Sequence, residues 1–259
     1  MLVSLQNPLV KQLRKLHRAK ERREQGVFLL EGTHLLEAAC LANRTIALVC
    51  CTPDWQAKYP ELWQHAKQRA TRTEIVSPEV LKAIATTVEP DGVIATVERP
   101  SIPVPTFTTL GLVLETIQDP GNLGTMIRTV AAAGAEGLLL SADSVDLDHP
   151  KVLRASAGLW FRVPMATSLD LSTDLKQYQQ QGFQIVATLP TASQTYWQIN
   201  WRKPTLVLLG NEGSGLSPAV SAFADMAVRI PLSPGVESLN VAIAAALILY
   251  EARRQREYT

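Results

Sequence analysis

Cysteine and histidine are scarce in this chain of 259 residues, and their positions suggest neither a disulfide framework nor a metal site. The three cysteines (Cys40, Cys50 and Cys51) form no C-x-x-C pair, which is typical of reduced thiols in a cytosolic protein. The four histidines are scattered and match no metal-ligand spacing. We therefore expect a cytoplasmic protein without a bound metal.

Long apolar runs are absent as well. The longest candidate, Val241–Tyr250, falls well short of the roughly 18 apolar residues of a membrane span. The basic N-terminus lacks the apolar segment of a secretory signal. With 46% hydrophobic and 19% charged residues, the composition is that of a folded globular protein, and it excludes a disordered chain.

Positive charge is concentrated in the first part of the chain. Residues 1–105 hold 14 basic and 11 acidic side chains, whereas the remainder holds 11 and 13. A helix is predicted from Asn7 to about Glu24, and five cations share one of its faces: Lys11, Arg14, Lys15, Arg18 and Arg22. This face is either solvated without a binding role, or it contacts an RNA backbone. The candidate RNA-binding residues are Lys11, Arg14 and Arg18.

Three prolines, Pro100, Pro103 and Pro105, mark the best domain boundary. We predict a first domain over residues 1–99, a linker over 100–107 and a second domain over 108–259. Alternating helix and strand signals before the linker indicate a small α/β sandwich. After it, near-continuous apolar strands alternate with helices, which predicts a mostly parallel sheet with ligands at the carboxyl ends of its strands.

Three stretches of the second domain place glycines or polar residues directly after a predicted strand. They are DPGNLGTMIRTVAAAG (119–134), LVLLGNEGSGLSP (206–218) and RIPLSPGVESLNVAIAAALILYEARRQ (229–255). Taken singly, each has an ordinary structural explanation as a turn, a glycine loop or a helix cap. The glycine order G-x-x-G-x-G differs from the dinucleotide fingerprint G-x-G-x-x-G, which argues against an oxidoreductase.

Together and in this order, the three stretches resemble the motifs of the SpoU (TrmH-like) family of RNA ribose 2′-O-methyltransferases, within the SPOUT superfamily. The matching residues are Asn122 and Arg128, then Gly210, Glu212 and Gly213, then Ser238–Val241. Ala242 stands where the family often has Ser, and Pro234 where it commonly has Gly. Residues 4–39 also resemble the N-terminal substrate-binding domain of many such proteins.

The resemblance implies S-adenosylmethionine as methyl donor and an RNA ribose 2′-hydroxyl as acceptor, in ribosomal RNA rather than transfer RNA. The catalytic candidates are Asn122, Arg128, Glu212, Ser238 and Asn240. The cofactor would be held by Gly210, Ile230, Leu232 and Leu239. Because a guanidinium stays protonated, Arg128 is expected to stabilise a developing alkoxide rather than to act as a base.

The resemblance further implies a deep trefoil knot in the second domain and a homodimer. Two other functions remain open from the sequence. One is a non-catalytic RNA-binding protein that retains the basic helix, although such a protein has no need of all five catalytic candidates. The other is a methyltransferase that acts on transfer RNA.

Overall fold

The structure is a computed structural model that describes residues 1–99 and 104–257. Its Cα positions divide the chain into two compact units. The first comprises Met1–Ser101 together with Asp148–Arg162, and the second comprises Ile102–Leu147 together with Val163–Thr259. Residues 100–103 of the predicted linker lie outside the described residues.

Helices and strands alternate in the first part of the chain, as the sequence predicts. In chain order they are α1 (Pro8–Lys15), α2 (Ala19–Gln25), β1 (Val27–Glu31), α3 (Thr33–Leu41), β2 (Ile46–Cys51), α4 (Pro53–Lys58), α5 (Pro60–Arg69), β3 (Ala70–Ile75), α6 (Pro78–Ile84) and β4 (Val93–Glu98). The strands form a sheet of order β1-β4-β2-β3 in which β2 and β3 are parallel and the other pairs antiparallel. Helices α1, α4 and α6 each begin at a proline that follows a side-chain cap, which is the usual start signal.

The helix predicted from Asn7 to about Glu24 is wrong as a single element. It is divided into α1 and α2 by a break just before Ala19, where the backbone of Arg18 is extended (φ −96°, ψ 134°). The break turns Arg22 into the interior of the first unit, where it is only 1% exposed. Arg22 therefore leaves the predicted cationic face.

From residue 104 onward the chain continues the alternation. Its elements are β5 (Leu110–Leu114), α7 (Pro120–Ala133), β6 (Gly137–Ser141), α8 (Pro150–Ala155), β7 (Met165–Ser168), α9 (Leu171–Gln180), β8 (Gln184–Thr188), β9 (Gln194–Thr195), β10 (Thr205–Leu209), α10 (Pro218–Ser221), β11 (Met226–Arg229) and α11 (Val241–Glu257). All of them lie in the second unit except α8, which lies in the first.

A buried ion-pair network fixes the segment 148–162 within the first unit. Asp148 accepts hydrogen bonds from Arg22 Nε at 3.0 Å and from Arg99 Nε at 2.6 Å. In the same segment, the ring of Trp160 packs against Phe28 of β1 with 5.1 Å between centroids. The first unit is thus built from two separate stretches of chain, which the proline signal does not indicate.

The second unit is built on a seven-stranded sheet of order β7-β6-β5-β10-β8-β11-β9. Every neighbouring pair in it is parallel. All residues of β5, β6 and β10 are buried, as expected for strands covered on both faces. The predicted parallel α/β architecture is therefore confirmed, and the loops that follow β5, β10 and β11 leave the same edge of the sheet.

Helices α7 and α11 pack against each other in the second unit, and Arg253 of α11 donates to the carbonyl of Ala132 in α7 at 2.6 Å. Among the described residues, no helix is both long and apolar enough to cross a membrane. The trefoil knot implied by the resemblance stays a prediction.

We predict that Asp148→Ala destabilises the protein by about 3–5 kcal/mol, because it removes the carboxylate that faces a buried guanidinium. Urea denaturation measures this change in the free energy of unfolding. The matched control is Glu24→Ala, which breaks an exposed Lys20–Glu24 pair and should change the free energy by less than about 1 kcal/mol. Equal effects of the two substitutions would contradict the stabilising role of the buried network.

Candidate active site

The three sequence motifs meet at the carboxyl edge of the parallel sheet. Strands β5 and β10 are direct neighbours, paired from Leu110 with Thr205 to Leu114 with Leu209. The first motif follows β5 and enters α7, and the second is the loop that follows β10. The third motif ends the loop between β11 and α11. Parallel pairing alone therefore brings segments about 90 residues apart in sequence to one place.

The carboxylate of Glu212 joins the second motif to the first. Its Oε1 accepts hydrogen bonds from the backbone N–H of Asp119 at 3.2 Å and from Asn122 Nδ2 at 3.1 Å. Its Oε2 accepts from the backbone N–H of Gln118 at 3.3 Å. One side chain thus pairs donors from the loop after β5 and from the first turn of α7.

Asn122 and Asn240 extend the network to the third motif. Asn240 Nδ2 donates to Asn122 Oδ1 at 2.9 Å, and Asn240 Oδ1 accepts from the backbone N–H of Ala242 at 2.9 Å, which caps α11. An ionised carboxylate can only accept hydrogen bonds, so Asn122 must turn its amide nitrogen toward Glu212. The amide oxygen of Asn122 then faces Asn240, which must turn its own amide nitrogen toward it. Both amides are therefore occupied in holding loops together.

The network keeps Glu212 ionised. Partial burial raises the pKa of Glu212, but hydrogen bonds from Asn122 and from the backbone N–H groups outweigh this effect, so the pKa lies below its ordinary value. The carboxylate consequently remains a pure acceptor at neutral pH, which the hydrogen bonds described above require.

The glycine loop after β10 is held at both ends by residues that follow β5. Near its start, Asn211 Nδ2 donates to the carbonyl of Thr116 at 2.8 Å. At its end, Glu115 accepts from the backbone N–H of Ser217 at 2.7 Å. A Cβ on Gly210 would lie 2.2 Å from the backbone of Gly215, so glycine is required here by the loop itself.

A cavity of about 760 Å³, here called the larger cavity, lies over the network. It is lined by Gln118, Asp119, Asn122, Asn211, Glu212, Ser238, Leu239, Asn240 and Val241. Four of the five predicted catalytic residues are in this lining. The fifth, Arg128, is exposed on α7 and is not among the described residues that line the cavity.

A second cavity, here called the smaller cavity, has a volume of about 380 Å³. Its lining includes all four predicted cofactor residues: Gly210, Ile230, Leu232 and Leu239. The remaining lining residues are Thr188, Leu189, Pro190, Leu209, Asn211, Glu212, Gly213, Gly215, Glu237, Ser238, Val241 and Ala244. The two cavities share five residues: Asn211, Glu212, Ser238, Leu239 and Val241. They therefore adjoin.

Two residues of this site were missed by sequence reasoning. Asn211 lies inside the second motif, between Gly210 and Glu212, and it lines both cavities. Its position between two motif residues is the sequence feature that could have identified it as part of the site. Glu115 follows an apolar strand and carries no spacing signal, since its partner Ser217 is 102 residues away.

The predicted RNA contacts Lys11, Arg14 and Arg18 lie in the first unit, and all three are exposed. Among the described residues, no acidic side chain forms an ion pair with any of them. Their charges are thus available to an external anion. Among the same residues, no group of three or more His, Cys, Asp or Glu comes together as a metal site.

Two family comparisons cover most of the chain. Residues 109–250 match the SpoU rRNA Methylase family, and residues 7–95 match the MRM3-like substrate binding domain. The first match contains the motif residues Asn122 to Val241 and the lining residues of both cavities, and the second contains the cations of α1 together with Arg18.

Individual relatives extend over nearly the full chain. An uncharacterized tRNA/rRNA methyltransferase of Synechocystis sp. is 49% identical over 257 residues, which cover 98% of this chain and 94% of the relative. The 23S rRNA (guanosine(2553)-2'-O)-methyltransferase RlmP of Bacillus subtilis is 31% identical over 250 residues, with coverages of 96% and 98%. The solved structure of an AdoMet-bound rRNA methyltransferase from Sinorhizobium meliloti matches with a TM-score of 0.87 at 32% identity, with coverages of 98% and 97%. The chain therefore belongs to the SpoU rRNA methylase family, as its three motifs predict.

Proposed function

We propose that the protein transfers a methyl group from S-adenosylmethionine to a ribose 2′-hydroxyl in ribosomal RNA, and that it acts in the cytoplasm. The observation that carries this proposal is the pair of adjoining cavities, which share one wall made from the second and third motifs. Methyl transfer needs this arrangement, because donor and acceptor must approach each other in line while each is held separately. The related enzymes named for ribosomal RNA support this substrate over transfer RNA.

The smaller cavity fits S-adenosylmethionine by its chemistry. Apolar side chains of Leu209, Ile230 and Leu232 would enclose the flat adenine, and the close-packed glycine loop leaves no side chain at Gly210. Glu212 and Glu237 are among the lining residues, and their negative charges would favour the positive sulfonium. The cofactor supplies an already activated methyl group, so no metal is needed for the transfer.

The larger cavity would hold the acceptor ribose. Because the side chains of Asn122 and Asn240 are bonded within the network, we assign them to fixing the loops in place rather than to moving protons. Ser238 lines both cavities, and we assign its hydroxyl to orienting the ribose. Holding the reacting groups in place can contribute roughly 7–11 kcal/mol to lowering the barrier.

Arg128 would act from the molecular surface. It lies on the exposed face of α7, and Ala132 of that helix contacts Arg253 of α11, so the exposed faces of the two helices are adjacent. An apolar stripe runs along the exposed face of α11: Ile243 (50% exposed), Leu247 (37%) and Tyr250 (49%). We infer that a homodimer pairs through this surface, which would place Arg128 at the dimer interface.

We predict that the wild-type protein methylates a ribose of ribosomal RNA taken from a strain that lacks the gene, and that Arg128→Ala lowers the rate by about 10²-fold or more. Loss of one preorganised donor to a developing oxyanion typically has this cost. Methyl transfer from labelled S-adenosylmethionine, followed by mapping of the modified ribose, gives both results.

The control for this measurement is Thr125→Ala, one turn earlier on the same exposed face of α7. It should leave the rate within a few-fold of wild type. A rate for Arg128→Ala that equals the control's would remove Arg128 from the reaction. Methylation of transfer RNA alone would identify transfer RNA as the substrate. RNA binding without any methylation would favour the non-catalytic function.

We predict that replacing Lys11, Arg14 and Arg18 with Gln weakens RNA binding and flattens its dependence on salt by up to about three counterions' worth of slope. Each substitution removes one contact to an RNA phosphate. The affinity for S-adenosylmethionine should not change. Binding is measured over a salt series. The matched control replaces three exposed lysines elsewhere in the first unit, Lys58, Lys67 and Lys82, with Gln. If both triple variants shift the slope equally, the effect is one of net charge and the face has no special role.

We predict that Leu247→Glu converts a dimer into a monomer, because it places a charge in the centre of the apolar stripe on α11. Sedimentation equilibrium reports the oligomeric state. Leu41→Glu is the matched control, since Leu41 is 73% exposed in the first unit and the change in charge is the same. A wild-type protein that sediments as a monomer would rule out this dimer.

A further inference from the structure

Thr116, two residues after the end of β5, has a backbone conformation that its own side chain opposes. Its φ is 55°, in the left-handed region, where a β-branched residue is a rare outlier because its side chain crowds the backbone. Among the described residues, the other non-glycine positions with a positive φ are Asn43 and Ala157, and neither is β-branched. Such a conformation persists only where the surrounding structure enforces it, and it is found most often at functional sites.

The end of β6, the strand paired with β5, enforces the conformation of Thr116. Asp143 Oδ2 accepts a hydrogen bond from the hydroxyl of Thr116 at 2.7 Å. Ser141 Oγ accepts from the backbone N–H of Thr116, also at 2.7 Å, and donates its own hydroxyl to Asp143. Both donors of Thr116 are thereby bonded to residues at the end of the neighbouring strand.

The negative charge of Asp143 sets the direction of these hydrogen bonds. The hydroxyls of Ser141 and Thr116 donate to Asp143 and hold the pKa of its carboxyl below the ordinary value, so it is ionised at neutral pH and can only accept. The hydroxyl proton of Ser141 is used in this way, so Ser144 must be the donor in its 3.0 Å contact with Ser141. Ser144 Oγ then accepts from the backbone N–H of Ile117 at 3.0 Å. One carboxylate thus orders the contacts to two successive residues of the loop after β5.

The conformation of Thr116 determines where the wall of the larger cavity begins. Gln118 and Asp119 line that cavity, and they follow Thr116 by two and three residues. Their backbone N–H groups donate to Glu212. The carbonyl of Thr116 itself accepts from Asn211, which lines both cavities. A different φ at Thr116 would therefore displace this wall and break its hydrogen bonds to the second motif.

We propose that Asp143 is a positioning residue for methyl transfer, which holds Thr116 in the left-handed conformation and so keeps the wall of the larger cavity where the acceptor ribose requires it. The inference rests on the proposed function, because it takes the acceptor from there. Asp143 is not among the described residues that line either cavity, so it acts through Thr116 and not on the reacting groups. A displaced wall would misalign the 2′-hydroxyl with the methyl group, and a misplacement of about 1 Å can lower a rate by about 10²-fold.

We predict that Asp143→Ala lowers kcat by about 10- to 100-fold, because the wall loses its support. The Kd for S-adenosylmethionine should stay within about 2-fold of wild type, since the described lining of the smaller cavity includes no residue from 115 to 119. Thr116→Val keeps the β-branch and loses only the hydroxyl, so it should lower kcat as well. Adding Thr116→Gly to Asp143→Ala should restore most of the rate, because glycine adopts a positive φ without strain.

The experiment measures kcat and KM for methyl transfer to ribosomal RNA, the Kd by calorimetric titration and the Tm by thermal unfolding, with rates taken well below every Tm. The matched control is Asp170→Ala. Asp170 follows β7 at the same edge of the sheet, and it too accepts from a threonine hydroxyl, that of Thr173 at 2.7 Å. It caps α9 and, among the described residues, makes no hydrogen bond to residues 115–119. Its loss should lower the Tm, as cap removal does, and leave kcat within about 2-fold.

Three results would overturn the proposal. The first is a kcat for Asp143→Ala equal to that of wild type. The second is a double variant with Thr116→Gly that stays as slow as Asp143→Ala, since the loss would then not arise from the backbone of Thr116. The third is an equal loss of kcat in Asp170→Ala, which would reduce the effect to one of stability. In all three the wild type still methylates RNA, whereas a wild type without methyl transfer would overturn the proposed function together with this inference.

Discussion

The ionised carboxylate of Glu212 is the constraint on which the site depends. Three loops leave the same edge of a buried sheet, and each carries backbone N–H groups that need acceptors. Glu212 supplies acceptors to two positions before α7 and orients Asn122, through which Asn240 and the start of α11 are fixed. Its lowered pKa means that this contribution to stability is complete above the pKa of the unfolded chain and is lost as the pH falls through the lower folded value.

The parallel sheet could be predicted because its central strands, β5, β6 and β10, are almost entirely apolar. The near-continuous apolar runs LGLVL and TLVLL predict the buried strands β5 and β10, whereas β7, with the short sequence MATS, and the two-residue β9 give no such signal. The break between α1 and α2 could not be predicted either. It places Arg22 opposite Asp148, which is 126 residues away, and no local pattern encodes a contact of that range.

The site was predictable in its motif residues and less so in how they act together. Resemblance indicated Asn122, Glu212 and Asn240, but only the loop geometry shows that their side chains bond to one another. Asn211 and Glu115 were missed for the same reason, since their hydrogen bonds depend on how the glycine loop folds back on β5. Arg128 remains a prediction, because it lies on an exposed helix face away from the larger cavity.

The charges suggest how binding and chemistry are divided within the chain. The larger cavity is lined by the acidic side chains of Asp119 and Glu212, and none of its described lining residues is basic. A phosphate would be repelled there, whereas a neutral ribose would not. For the proposed reaction, affinity for the RNA backbone would come from cations that do not line this cavity, such as those of α1. Such cations would act equally on substrate and transition state, so they would secure the RNA while the network and the two cavities supply the alignment that accelerates transfer.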